Sequence, residues 1–117
     1  MRQMVSNSKE RVVSLRKVKK AIKRLRGRMR WLWNRGSYMV GLRYGICIDN
    51  DGVWSWIGNS QEEWSEIEAG NSVIILIKPY TGADIRWFLR QPLDKLVEDA
   101  KWKLKELNYK IVEEVQS

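Results

Sequence analysis

The spacing of apolar residues predicts one long amphipathic helix near the start of the chain, over residues 9–35. Apolar side chains recur there at steps of three and four residues, which places them on one helical face. Ser6 or Ser8 is suited to cap the start, and Gly36 is suited to the position after the end. Gly27 interrupts the pattern at a cost of about 1 kcal/mol relative to alanine, so we expect bending or fraying there. The predicted apolar stripe comprises Leu15, Val18, Ile22, Leu25, Met29 and Leu32.

After residue 37 the pattern changes to a period of two, which predicts β-strands. Alternating apolar residues over 38–49 predict a strand with its even-numbered positions on one face. The Asp51-Gly52 pair predicts a hairpin turn, because glycine tolerates the positive φ angles of tight turns, and residues 53–57 form the second strand. The uninterrupted apolar run at 73–77 predicts a third strand that is buried on both faces.

The last third of the chain predicts two helical segments and a final strand. Asp84 is suited to cap a turn of helix over 85–89, and Pro92 is suited to the first position of a longer helix. Asn108 fits the left-handed backbone position after that helix, and residues 109–115 predict a strand. The buried stripe of the longer helix is predicted to comprise Leu93, Leu96, Val97, Ala100, Leu104 and Leu107.

The resulting order α-β-β-β-α-β predicts an α+β fold, with a three- or four-stranded sheet and helices on at least one face. With 117 residues the chain has the size of one domain, and it can bury a core without disulfides or metals. We expect a basic helical arm over 1–36 and a small α+β body over 37–117, packed together as one compact domain.

Charge is divided unequally between these two parts. Residues 1–35 carry 13 Lys and Arg and a single acid, Glu10, whereas residues 36–117 carry 9 Lys and Arg and 13 Asp and Glu. The net charge of +8 is therefore the sum of a segment at +12 and a segment at −4. Such asymmetry within one chain points to a polyanionic partner.

The basic helix predicts a nucleic-acid-binding protein without catalytic activity, with double-stranded DNA as the first choice of ligand and RNA as the second. Lys and Arg side chains neutralise phosphates irrespective of base sequence. In the predicted helix they occupy most of the circumference that the apolar stripe leaves free. The predicted phosphate contacts are Arg16, Lys17, Lys19, Lys20, Lys23, Arg24, Arg26, Arg28 and Arg30.

Seven tryptophans offer candidate surfaces for stacking unpaired bases. Trp31 and Trp33 end the basic helix, and Trp54 and Trp56 lie two apart on a strand, so that their rings share one face. These four are the predicted base-stacking residues. Their alternative role is packing in the core, which is also the role expected of Trp87.

The same features leave other partners open. The apolar stripe matches two and a half heptads of a coiled coil, so it can mediate homo-oligomerisation through Leu15, Val18, Ile22, Leu25, Met29 and Leu32. The basic arm can instead dock on an acidic protein, as an oligomerisation or adaptor module of a viral or plasmid-type assembly. A basic helix with tryptophans is also typical of the membrane interface, but the narrow apolar stripe argues against a membrane partner.

Composition excludes several classes of site. The chain has no histidine, which excludes Ser-His-Asp and Cys-His mechanisms and histidine-ligated zinc. It has no phosphate-binding loop or dinucleotide fingerprint, so we expect no cofactor and no metal. The single cysteine, Cys47, rules out an internal disulfide and favours a cytoplasmic location. The start lacks the apolar segment of a secretory signal, and no apolar run reaches the roughly 18 residues of a membrane span.

One enzymatic alternative remains. The order α-β-β-β-α-β resembles that of restriction-endonuclease-like nucleases, in which a strand carboxylate binds Mg²⁺ and a lysine two residues after an acid assists the attacking water. Lys78 matches that lysine, but Leu76 stands where the acid belongs, so the resemblance implies a degenerate nuclease or a relative that only binds. Its candidate carboxylates are Asp49, Asp51, Glu66 and Glu68.

Overall fold

The computed structural model describes residues 11–37, 40–58 and 73–113. They form an α+β fold, which confirms the predicted fold class. The described elements are strand β1 (Arg11–Ser14), helix α1 (Leu15–Asn34), strands β2 (Arg43–Asp49), β3 (Gly52–Gly58) and β4 (Val73–Ile77), helices α2 (Gly82–Arg90) and α3 (Leu93–Glu106), and strand β5 (Tyr109–Val112).

Strands β2, β3 and β4 form a three-stranded antiparallel sheet with β2 in the centre. The predicted hairpin is confirmed, because Asp49 pairs with Gly52 across a two-residue turn. Gly52 has a φ of +132°, which side-chain-bearing residues rarely adopt. The Asp49 carboxylate accepts a hydrogen bond of 2.8 Å from the backbone N–H of Asp51, so local chemistry fixes the tip of the hairpin.

A second sheet of two parallel strands joins the ends of the described chain. Strand β1 pairs with β5, with Arg11 opposite Tyr109 and Ser14 opposite Val112. The predicted last strand is therefore confirmed, but among the described residues it belongs to this small sheet and not to the three-stranded one. The two strands of this parallel pair lie almost at opposite ends of the chain. Local periodicity therefore does not predict that they pair.

The presence of β1 moves the start of the basic helix. The prediction of helix from residue 9 was wrong for residues 11–14, and α1 begins at Leu15. Ser14 is its N-cap, since the Ser14 hydroxyl accepts a hydrogen bond of 3.4 Å from the backbone N–H of Lys17. The predicted caps Ser6 and Ser8 lie outside the described residues.

The apolar stripe of α1 fills the core between the three-stranded sheet and α3. Five of its predicted members are buried and Leu32 is half-buried. The buried members are Leu15, Val18, Ile22, Leu25 and Met29, and they share one cluster with Tyr44, Ile46, Ile48 and the buried residues of α3. This burial removes the basis for the predicted homo-oligomerisation through the stripe, because the chain's own sheet and helix already cover it.

Two strands differ from their predictions. The strand predicted over 38–49 begins at Arg43, because residues 40–41 form a turn in which Gly41 has a φ of +92°. Residues 38–39 lie outside the described part of the chain. In β4 only Ile74 is buried, not both faces, because the strand lies at an edge of the described sheet.

Helix α2 is capped by Thr81, not by Asp84 as predicted. The Thr81 hydroxyl accepts a hydrogen bond from the backbone N–H of Asp84, and the Asp84 carboxylate accepts one of 3.0 Å from the N–H of Thr81. A further bond of 2.9 Å comes from the N–H of Tyr80. These backbone donors, first that of Tyr80, lower the pKa of Asp84 because they stabilise its charged form.

Helix α3 confirms its prediction closely. It begins at Leu93, so that Pro92 is its N-cap and not, as predicted, its first residue, and Asn108 behind its end has a φ of +65°. Of the predicted stripe, Leu96, Val97, Ala100 and Leu104 are buried, and Leu93 and Leu107 are half-buried.

Helix α1 remains helical through Gly27, so the expected fraying there is not observed. A Cβ added at Gly27 would meet no atom within 4 Å. Replacement of Gly27 by alanine should therefore raise the free energy of unfolding by about 0.5–1 kcal/mol, because alanine loses less conformational entropy in a helix. Urea denaturation followed by circular dichroism measures this change. A lower midpoint for the variant would mean that packing at Gly27 excludes a methyl group.

Candidate nucleic-acid interface

Burial of the apolar stripe fixes the rotation of α1 and turns its basic residues away from the core. The helix carries nine Lys and Arg and no acidic residue. Eight of the nine predicted phosphate contacts are exposed, and Arg26 is half-buried. We call the exposed eight the basic surface; it comprises Arg16, Lys17, Lys19, Lys20, Lys23, Arg24, Arg28 and Arg30.

Two arginines tie the basic surface to the rest of the fold. On one flank Arg28 donates a hydrogen bond of 3.5 Å from Nη1 to the Ser55 hydroxyl on β3. On the other flank Arg30 donates one of 3.3 Å from Nη2 to the backbone carbonyl of Leu89 on α2. These contacts hold the C-terminal half of α1 over the edge of the sheet and beside α2. Both arginines remain exposed and keep donors for an anion.

Arg26 is the predicted phosphate contact that the structure makes least accessible. Its Nε is buried and has no hydrogen-bond partner among the described residues. Burial lowers the pKa of Arg26, and the nearby positive charge of Arg30 lowers it further. Its charge alone led to the prediction that Arg26 contacts phosphate. Its position beside the apolar stripe instead directs its side chain partly toward the core.

Of the four predicted stacking residues, the two at the end of α1 differ in exposure. Trp31 is 59% exposed, and the Arg35 guanidinium lies over its ring at 4.6 Å from the centroid. Trp33 is 37% exposed, and its ring lies 3.3 Å from the position of a Cβ on Gly82 at the start of α2. Trp31 therefore presents its indole beside the basic surface, and Trp33 packs against α2. Arg35 is not among the predicted phosphate contacts, although its position four residues after Trp31 indicates a guanidinium beside that ring.

Trp54 and Trp56 share one face of the sheet, as predicted, but not the face that α1 covers. Ser55, which contacts α1, lies opposite Ile46, whereas Trp54 lies opposite Cys47 on the other face. Both tryptophans are half-buried. The Trp54 indole donates a hydrogen bond of 2.9 Å to the Asp49 carboxylate. Trp54 nonetheless borders, together with Ser55, a cavity that Lys17, Lys20 and Arg24 of the basic surface also line.

The Trp56 ring lies 2.9 Å from the position of a Cβ on Gly58, so the ring folds over this glycine. Trp87, by contrast, was expected to pack in the core and is 60% exposed, with the Lys95 ammonium 5.9 Å from its ring centroid. That expectation was wrong, because Trp87 lies on the outward side of α2, where Ile85 and Phe88 supply the buried contacts.

Cys47 lies on the face of β2 that α1 does not cover, and it is fully buried. Burial raises the pKa of its thiol to about 11, and the negative charge of Asp49 adds to this effect.

The folded protein should therefore react with a thiol reagent near pH 8 at least about 100-fold more slowly than the urea-unfolded chain, since the thiolate is the nucleophile. Timed labelling with an aromatic disulfide tests this. Equal rates in both states would show that Cys47 is accessible.

The carboxylates and lysine of the nuclease alternative are not brought together in the described structure. Asp49 and Asp51 lie at the hairpin tip, whereas Lys78 follows Ile77, which pairs with Tyr44 at the other end of β2. The two ends are on the order of 20 Å apart at about 3.3 Å per residue. Glu66 and Glu68 lie outside the described residues. Within 11–37, 40–58 and 73–113, no group of three or more Cys, Asp or Glu is placed to hold a metal ion.

In those same ranges, no helix combines the length and the apolar character that crossing a bilayer requires.

Models of protein families, curated proteins and solved structures were compared with the chain, and none of them matches it.

Proposed function

We propose that this protein binds nucleic acid through the phosphate backbone, using the basic surface of α1, with double-stranded DNA as its preferred ligand. The observation that carries the proposal is the outward array of eight exposed Lys and Arg on a helix with no acid, held in place by a buried stripe on the opposite side. Phosphate contacts of this kind supply affinity without base specificity.

The dimensions of the surface suit a phosphate chain. A helix of 20 residues is about 30 Å long at 1.5 Å per residue. Duplex DNA presents one negative charge per about 1.7 Å of its axis, so α1 spans several phosphates. Because α1 is fixed to the body along its whole apolar stripe, binding requires little ordering of its backbone.

The surface of α3 differs from that of α1 in a way that supports the choice of site. Its lysines lie next to acids of the same helix, with Lys95 3.3 Å from Asp99 and Lys101 3.2 Å from Glu98. Such exposed pairs contribute little to stability, but they neutralise the local field. Positive charge is therefore less offset by acids on α1 than on α3, and α3 offers a control surface with lysines of its own.

An acidic protein is the other polyanion that this surface fits, as in an adaptor module. Fluorescence anisotropy of the full chain with a labelled random-sequence DNA duplex, at about 50 mM salt, separates the two partners. We expect saturable binding that unlabelled DNA of any sequence displaces and that an equal charge of polyglutamate displaces poorly. Absence of duplex binding up to about 100 μM, the weak limit of non-specific affinities, would overturn the proposal.

A further inference from the structure

Trp31, Gly27, Arg24 and Arg28 line an open hollow along the flank of α1 that Arg28 joins to Ser55, and we propose that this hollow holds one unpaired nucleobase, stacked on the Trp31 indole. The inference rests on the proposed function and adds to it a substrate class, namely a duplex that ends in a single-stranded extension. Leu32 completes the lining, and the hollow measures about 420 Å³.

The missing side chain of Gly27 leaves part of the hollow open. Side chains in helices lean toward the N-terminus, so the indole of Trp31 points over the turn that contains Gly27 and Arg28. A long side chain at position 27 would occupy part of that space, since the position is exposed and a Cβ there meets no atom within 4 Å.

Packing gives no reason for a glycine at this position. Glycine destabilises a helix interior, and an isolated glycine in a helix usually has a packing or functional reason. A packing reason is absent in α1, because no group of the described structure approaches Gly27 closely enough to exclude a side chain there. The open space beside an exposed tryptophan is what a planar ligand needs.

The chemistry around the hollow fits a nucleotide better than an uncharged aromatic compound. The Arg35 guanidinium covers one side of the Trp31 ring at 4.6 Å, which leaves the side toward Gly27 for a second planar group. Arg24 and Arg28 border the hollow and belong to the basic surface, so a base in the hollow has its own phosphates within the same positive field. Stacking on tryptophan is tolerant of base identity, because every base has a π-face.

The test compares three labelled DNAs that share one duplex, measured by anisotropy with the full chain. One is blunt, one carries a four-nucleotide extension with bases, and one carries an abasic extension with the same phosphates. The ratio of the affinities for the two extensions isolates stacking from charge. We expect the wild-type protein to prefer the base-bearing extension by roughly fivefold or more, which corresponds to one stacked base.

Two substitutions assign this preference to the hollow. Trp31→Ala removes the platform and Gly27→Gln fills the space with a good helix former, so each should reduce the ratio to about one. Trp31→Phe should retain part of the preference, because phenylalanine keeps an aromatic face. Trp102→Ala is the matched control, because Trp102 on α3 is 70% exposed and is not among the described residues that line the hollow, and it should keep the full ratio.

Each outcome has a separate meaning. A wild-type ratio near one with saturable binding to all three DNAs would overturn the inference and leave the proposed function in place. A preference that survives both Trp31→Ala and Gly27→Gln would place the stacked base elsewhere and also overturn it. Absence of binding to every DNA, the blunt duplex included, would overturn the proposed function and the inference with it.

Discussion

Replacement of Lys19, Lys20 and Lys23 by glutamine should weaken binding to duplex DNA on the order of 100-fold at about 0.1 M salt. All three side chains are exposed on the outward side of α1. Each phosphate contact that is lost releases one counterion fewer, so the slope of log K against log salt should fall in magnitude by about 0.9 per lysine. Glutamine is a good helix former and leaves α1 intact.

The control for this variant is the same chemical change on α3. Replacement of Lys101, Lys103 and Lys105 by glutamine takes the formal net charge from +8 to +5, as the α1 variant does. We expect the α3 variant to bind with nearly wild-type affinity and an unchanged salt slope. Equal weakening in the two variants would contradict the assignment of the site to α1, since it would show that only the net charge matters.

Replacement of Leu25 by alanine should lower the free energy of unfolding by about 2–5 kcal/mol. Leu25 is fully buried where α1 lies on the sheet, so the change removes apolar contacts and leaves a cavity. Domains of this kind have a total stability of about 5–15 kcal/mol, so a substantial part of it would be lost. Chemical denaturation followed by circular dichroism measures the change.

The exposed neighbour Lys23 provides the control for Leu25. Lys23→Ala should shift the free energy of unfolding by less than about 0.5 kcal/mol, because surface substitutions away from special features have small effects. A Leu25→Ala variant as stable as Lys23→Ala would contradict the position of α1 in the core. The same burial means that deletion of α1 would unfold the body, so binding is tested by substitution on the outward side.

The sequence predicted the elements whose signal is local. The stripe of α1, the hairpin between β2 and β3, the stripe of α3 and the left-handed Asn108 were all confirmed, because each depends on residues within a few positions of one another. The pairing of β1 with β5 was not predicted. It joins Arg11 to Tyr109, and four residues such as 11–14 acquire their strand conformation from a partner that local periodicity does not show.

Those features of the candidate site that depend on charge and on the helical period were predictable from the sequence. Charge and period predicted which residues are basic and which side of α1 is exposed. They did not predict that Arg26 points partly toward the core, because this depends on the residues that pack beside it. That Trp54 and Trp56 share a face also followed from sequence, whereas the choice of face depends on which side of the sheet α1 occupies. The hollow at Gly27 could not be predicted from the sequence, since a glycine in a helical pattern shows a missing side chain but not which side chains surround it.

The salt dependence of duplex binding by the wild-type chain tests the central claim most directly. Anisotropy titrations of one labelled random duplex, at salt concentrations from about 50 to 300 mM, give the slope of log K against log salt. Contact with about five to eight phosphates predicts a slope near −5 to −7. Binding that is absent at low salt, or affinity that stays constant as salt rises, would contradict recognition of the phosphate backbone by α1.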